Sequence, residues 1–170
     1  MQPHFSLTGS QEKNIKIRFS HNSLIKLNLY KTICISLILQ LIFCCSIEPK
    51  PIDYGARECN YCKMRIVDKI HASEIVSKKA KVYMFDATEC MINFLNSYEG
   101  EVGQYYTNHY SQAEELIDAT QATFLISKNL PSPMGAFITA FKDKSSATTV
   151  RNEIGGKLYS WEELIVHLNP

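Results

Sequence analysis

The arrangements that normally announce catalysis are missing from this chain. There is no Gly-x-Ser-x-Gly elbow to present a nucleophile, no Gly-rich phosphate loop and no paired-histidine motif for a hydrolytic metal site. The expectation is therefore a protein that is not an enzyme. A large charge of one sign is also missing: the net charge is +1 over 170 residues. That small value hides an asymmetry, because residues 1–44 carry five basic groups against the single acid Glu12, while residues 45–170 hold 13 basic and 16 acidic groups, a net of −3. A mildly acidic body is a poor binder of nucleic acid, so none is expected as a partner. Hydrophobic residues make up 45% and charged residues 21%, ordinary values for one domain or two small ones.

Long apolar runs are scarce too. The stretch Ile33-Cys34-Ile35-Ser36-Leu37-Ile38-Leu39-Gln40-Leu41-Ile42-Phe43 falls short of the roughly 20 residues a spanning helix requires. A basic flank before it and an abrupt polar exit after it read as a secretory signal. The exit is Cys44-Cys45, not a small-residue cleavage site. That pattern resembles a bacterial lipoprotein signal, with Cys45 as the acylated first residue of the mature chain. Residues 1–45 are thus expected to be signal and lipid-attachment region. Residues 46–56, with Pro49, Pro51 and Gly55 and no apolar period, read as a tether.

Periodicity organises the remainder as an α+β fold. Residues 71–76 and 81–85 are rich in β-branched and aromatic side chains and predict two short strands around the turn at Ser77-Lys78-Lys79. Asp86, with Glu89 three residues on, predicts a capped helix whose apolar face is Ala87, Cys90, Met91, Phe94 and Leu95. Residues 123–127 and 136–141 predict two more strands. A helix over 144–154 is expected to stop at Gly155-Gly156, and Ser160-Trp161-Glu162-Glu163 opens a last helix with face Trp161, Leu164, Ile165 and Leu168. The second half echoes the first, which predicts two small related halves, 57–100 and 101–170.

What is present in concentrated form is sulfur. Cys59-Asn60-Tyr61-Cys62-Lys63-Met64 places two thiols and a thioether within six residues. Soft donors of this kind point to a soft ion, above all Cu(I). In an extended stretch Cys62 and Met64 would point the same way. Three other uses of the pair stand beside copper. A Cys-x-x-Cys is half of a zinc knuckle, but beyond residue 45 the only other thiol is Cys90, so a second pair is missing. It is also compatible with a thiol–disulfide exchange pair or a structural disulfide. Met134, in the Pro-bounded turn Pro131-Ser132-Pro133, is a further thioether candidate. Cys90 and Met91 lie on the apolar helix face and read as packing residues. His71 is placed to offer an imidazole, whereas His109 and His167 read as ordinary polar positions; Tyr105, Tyr106 and Tyr110 are expected to pack on the second half.

Taken together, Cys59-x-x-Cys62-x-Met64, Ala72-Ser73-Glu74-Ile75-Val76, Lys81-Val82-Tyr83-Met84-Phe85-Asp86, Cys90-Met91, Ser132-Pro133-Met134-Gly135 and Ala140-Phe141 resemble the NosL family of copper-binding lipoproteins. The resemblance spans Arg57 to Leu168. It implies two related small α+β halves, copper held through Cys59, Cys62, Met64 and Met134, a lipid anchor on a bacterial membrane facing the periplasm, and delivery of Cu(I) for the copper–sulfur centre of nitrous oxide reductase. One position departs from the family: many relatives have Gly where this chain has Lys63.

Overall fold

The computed structural model describes residues 29–31 and 47–169. The expected signal segment and Cys45 lie outside the described residues. Among the described residues, no helix is long and apolar enough to cross a membrane. Residues 47–169 belong to the second of the two units into which the chain divides.

Two antiparallel sheets build this unit. The first contains β1 (Ser73–Ser77), β2 (Val82–Phe85), β3 (Val102–His109) and β4 (Gln112–Asp118) in the order β2-β1-β3-β4. The second contains β5 (Thr123–Ile126), β6 (Ile138–Phe141) and β7 (Lys157–Tyr159) in the order β6-β5-β7. Helix α1 (Thr88–Leu95) follows β2, α2 (Lys144–Ile154) follows β6, and α3 (Trp161–Leu168) follows β7. The α+β class with two small sheet-and-helix halves is therefore observed. The first sheet continues past residue 100 through β3 and β4 to Asp118, so the sheets change over at the short 3-10 turn Ala119–Gln121. These two strands lacked a readable period, because β3 carries intermediate residues at its start and three consecutive buried ones, Thr107, Asn108 and His109, at its end.

Each helix buries the face its spacing dictates. In α1, Cys90, Met91 and Ile92 are fully buried and Phe94 packs on Phe85, ring centroids 5.1 Å apart. In α3, Ser160 accepts from the backbone N–H of Glu163 while the Glu163 carboxylate accepts from the Ser160 N–H, the reciprocal cap its sequence predicts. Asp143 caps α2 by accepting from Ser146 N at 2.8 Å, and Gly155 ends that helix at φ +75°, where a Cβ would be strained. The main core joins both sheets through Phe85, Met91, Phe124, Trp161 and Leu164. Tyr105 meets Trp161 at 5.3 Å and Tyr110 meets Phe141 at 5.3 Å, as expected of them.

The segment expected to be a free tether is bound to the sheet from Lys50 onward. Lys50 N–H donates to the Glu74 carboxylate at 2.9 Å, Ile52 is buried, and the Tyr54 hydroxyl donates to Asn108 Oδ1 at 2.8 Å. Ile52 and Tyr54, two positions apart, help strap this Pro-containing stretch onto the first sheet together with the Lys50 N–H; their isolation among polar neighbours hid them from a periodicity argument.

Candidate metal centre

The sulfur-rich stretch folds as a tight turn docked on the edge of the first sheet. Cys59 N–H donates to Met64 O at 2.8 Å and Lys63 N–H returns to Cys59 O at 3.1 Å. Asn60 fastens this turn to β2, donating its N–H to Met84 O and accepting Met84 N–H on Oδ1, both at 2.8 Å. Lys63 has φ +67°. The chain therefore adopts here the left-handed conformation that glycine adopts freely, although it carries a lysine. This bend also removes the extended geometry that would have aligned Cys62 with Met64.

Asp86 does not cap α1. The N-cap is Ala87, without any side-chain hydrogen bond, and Asp86 turns toward the docked turn, where Oδ1 accepts from Cys62 Sγ at 3.4 Å. The helix then brings Cys90 to the same point. The ligand atoms of Cys59, Cys62, Asp86 and Cys90 all lie within 4.8 Å of one another. All three cysteines are free thiols; Cys59 and Cys90 are buried and Cys62 half-buried. Two elements far apart in sequence supply the four side chains, which is why spacing alone revealed only two of them. Cys90 is both a core residue and a member of this cluster, so the packing role read for it is only half of its environment.

Electrostatics single out one sulfur. The Cys90 thiol donates to Cys59 and, helped by the backbone N–H groups of Asp86, Cys62 and Tyr61, holds Cys59 down to about 6 against the opposing effect of burial. Burial pushes Cys62 up to about 11. Cys90 is held protonated by its hydrogen bond to Cys59 and by its own burial beside Asp86. At neutral pH the trio thus carries one thiolate stabilised by its neighbours, a partly prepared site for a soft cation.

The two thioethers sit on the surface, Met64 53% exposed and Met134 38% exposed. The turn carrying Met134 is tied to the helix that carries Cys90: Glu89 Oε1 accepts from Ser132 Oγ at 2.8 Å and from Ala136 N at 3.3 Å, and Ser132 Oγ accepts from Phe137 N at 2.9 Å. Glu89, like Asp86, is thus diverted from the cap its spacing predicts. His71 is engaged elsewhere, its Nε2 3.1 Å from Thr139 Oγ1 and its Nδ1 3.0 Å from Asp68 Oδ1. His109 faces Glu115 at 3.0 Å and His167 stacks on Tyr159 at 4.9 Å.

Comparison with known proteins places this geometry. The NosL family model matches residues 51–168. The crystal structure of the copper chaperone NosL from Shewanella denitrificans superposes with a TM-score of 0.61 at 27% identity, covering 70% of this chain and 96% of that one. No curated protein matches the chain.

Proposed function

The chain belongs to the NosL family, and from that premise we propose that it is a carrier of Cu(I), anchored by lipid at Cys45 to a bacterial membrane and facing the periplasm. The observation that carries this reading is the convergence of Cys59, Cys62 and Cys90 within 4.8 Å. Cu(I) takes thiolate and thioether donors, and three thiols with one already ionised offer it two or three anionic sulfurs at once. Met64 and Met134, outside the buried cluster, are suited to act as exposed thioether arms that receive the ion first or release it last. A carrier must hold its cargo tightly yet give it up by stepwise exchange. Exposed thioethers in addition to buried thiols would supply such a path.

In this reading the recipient is nitrous oxide reductase, whose copper–sulfur centre is assembled after export. The lipid anchor would confine the carrier near the membrane and raise its effective concentration beside exported partners. A thiol–disulfide exchanger is less well supported by the same geometry. Such a protein exposes its low-pKa sulfur for attack, whereas here the sulfur held at about 6 is the buried Cys59 and the half-exposed Cys62 is pushed up to about 11.

Anaerobic competition of the reduced protein against a Cu(I) chelator tests the cargo, and deletion of the chain under copper limitation tests the recipient. We expect the deletion strain to assemble folded nitrous oxide reductase that lacks copper at its copper–sulfur centre and to accumulate N2O. A normal rate of N2O reduction would reject the recipient and leave only the carrier.

A further inference from the structure

The strap ahead of Cys59 gives the body a direction. Ile47 packs on β3: a Cβ added at Gly103 would meet its Cδ1 and Cγ2 at 3.1 Å each, and the Val76 carbonyl at the same distance. Further along, Lys50 bonds Glu74 and Tyr54 bonds Asn108. In the sheet beneath, Val76 pairs with Gln104, Glu74 pairs with Tyr106, and Asn108 donates its N–H to Ala72 O. The strap therefore enters where β1 and β2 join in their hairpin and leaves at the opposite end of the sheet. At that opposite end β2 finishes, Asp86 follows and α1 begins, which is where the thiols gather. Strands rise about 3.3 Å per residue, so the four steps from Val82 to Asp86 set the hairpin and the thiols about 13 Å apart.

Only residue 46 separates Ile47 from Cys45, and two residues of chain reach at most about 7 Å. Whatever holds the chain to a membrane ahead of Ile47 thus pulls on the hairpin end. What that end displays suits a bilayer surface. Lys78, Lys79 and Lys81 are all exposed, and Tyr83 and Tyr98 lie half-buried beside them with ring centroids 5.3 Å apart. Lys81 Nζ sits 4.7 Å from the centroid of the Tyr83 ring. These side chains line an open cleft of about 540 Å3. Lys78 pairs with Glu101 at 2.9 Å, whereas Lys79 and Lys81 form no ion pair among the described residues. Three lysines against Glu99 and Glu101 leave the cleft one positive charge in a body of net −3, and on the strap Glu48 and Lys50 cancel.

We propose that the hairpin end is a membrane-contact face, in which Lys79 and Lys81 take anionic phospholipid headgroups, Tyr83 and Tyr98 lie at headgroup level, and the thiols are turned away from the bilayer. This rests on the reading of the chain as held to a membrane, and it requires neither copper nor an acyl group at Cys45 in particular. An ammonium meets phosphate oxygens by charge, and a tyrosine sets its ring against apolar chains with its hydroxyl in water, so both suit the membrane–water interface. The acidic remainder of the body is repelled by the same surface. Attraction and repulsion agree on one orientation. A carrier held in this way offers its thiols to a partner approaching from the aqueous side.

The test begins with cell fractionation. The chain extracted from membranes is then placed in vesicles of phosphatidylethanolamine and phosphatidylglycerol doped with a phospholipid bearing a diazirine in its headgroup, irradiated, and its crosslinked peptides mapped by mass spectrometry. The expected crosslinks fall in residues 78–83 and 98–101, with none in 59–64. Lys79→Gln with Lys81→Gln should lower the hairpin crosslinks about fivefold or more, since each lysine near an anionic surface is worth about fivefold in binding. Both positions are exposed, and an unchanged unfolding midpoint shows that the double variant is folded. Vesicles of phosphatidylcholine alone should give the same drop with wild type. Crosslinks concentrated in 59–64, hairpin crosslinks undiminished in the double variant, or equal crosslinking in phosphatidylcholine overturns the proposal and leaves the anchor standing. Hairpin crosslinks from a chain whose mass shows no acyl group support the proposal and overturn acylation at Cys45. A chain found only in the soluble fraction overturns both.

Discussion

Asp86, Glu89 and Cys90 show how a single residue acquires its role from what reaches it across the fold. Asp86 and Glu89 have the spacing of a capping pair and Cys90 sits on an apolar helix face, yet one carboxylate accepts from Cys62, the other holds the Ser132 turn, and the thiol donates to Cys59. If Cys90 only filled space, Cys90→Ser would leave copper affinity intact. We expect it to lower Cu(I) affinity about tenfold or more, comparably to Cys59→Ser, in a chelator competition. A second residue-scale prediction concerns Glu74, fully buried in β1 with Oε1 bonded to Lys50 N and Oε2 without a partner. Burial pushes its pKa up to about 7, only partly offset by the Lys50 N–H and by the charges of Lys50 and Arg57. A carboxyl raised in the folded state stabilises fully below its unfolded value, and that contribution is lost as the pH climbs through about 7. Cys59, lowered to about 6, acts in the opposite sense, its contribution lost as the pH falls through 6, but it is present with or without Glu74. Glu74→Gln should therefore gain stability relative to wild type between pH 5 and pH 8, by about 2 kcal/mol at about 1.4 kcal/mol per unit. Denaturant midpoints at the two pH values measure it, and an unchanged difference would contradict the assignment.

Among the elements, the docked turn from Cys59 to Met64 carries most of the information. Its sulfur content was legible in the sequence, as were α2, α3 and the strands around residues 73–85 and 123–141, because each has a strong period or a cap. What was not legible depends on long-range pairing. β3 and β4 are recognised only by their hydrogen bonds to β1 and to each other, Ser73 opposite Thr107 and Thr107 opposite Ile117. The strap over 50–55 is held in part by Glu74 and Asn108, which lie 24 and 54 residues beyond their partners Lys50 and Tyr54. The site followed the same rule: Cys59 and Cys62 are neighbours in sequence and were readable as a pair, whereas Cys90 and Asp86 join them through the docking of Asn60 on Met84. Lys63 tests how far that turn is strained. A non-glycine residue at φ +67° costs about 1–2 kcal/mol, of which glycine's greater freedom in the unfolded chain cancels about 0.4–1. Lys63→Gly should raise stability by about 0.5–1 kcal/mol with copper affinity retained, and Lys63→Ile should lower it. Thermal unfolding of the two variants reads both signs, and destabilisation by glycine would mean that the lysine side chain, through its bond from Nζ to Asn60 O at 2.8 Å, outweighs the backbone strain.

On the scale of the whole molecule, the main core joins the two small sheets with α1 and α3, α2 packs on a second small cluster with Leu125 and Phe141, and the thiol cluster sits where β2, α1 and the docked turn meet. Such an arrangement sets the thiol cluster against the main core and leaves the thioethers at the surface. We propose this meeting point as a Cu(I) site, and its decisive test is anaerobic titration of the reduced full chain against a chromophoric Cu(I) chelator, with the Cys59→Ser, Cys62→Ser, Cys90→Ser triple variant measured alongside. Wild type is expected to withhold one more equivalent of Cu(I) from the chelator than the triple variant does, and Met64→Leu and Met134→Leu are expected to weaken this retention less than loss of a thiol. Equal retention by wild type and triple variant would contradict it.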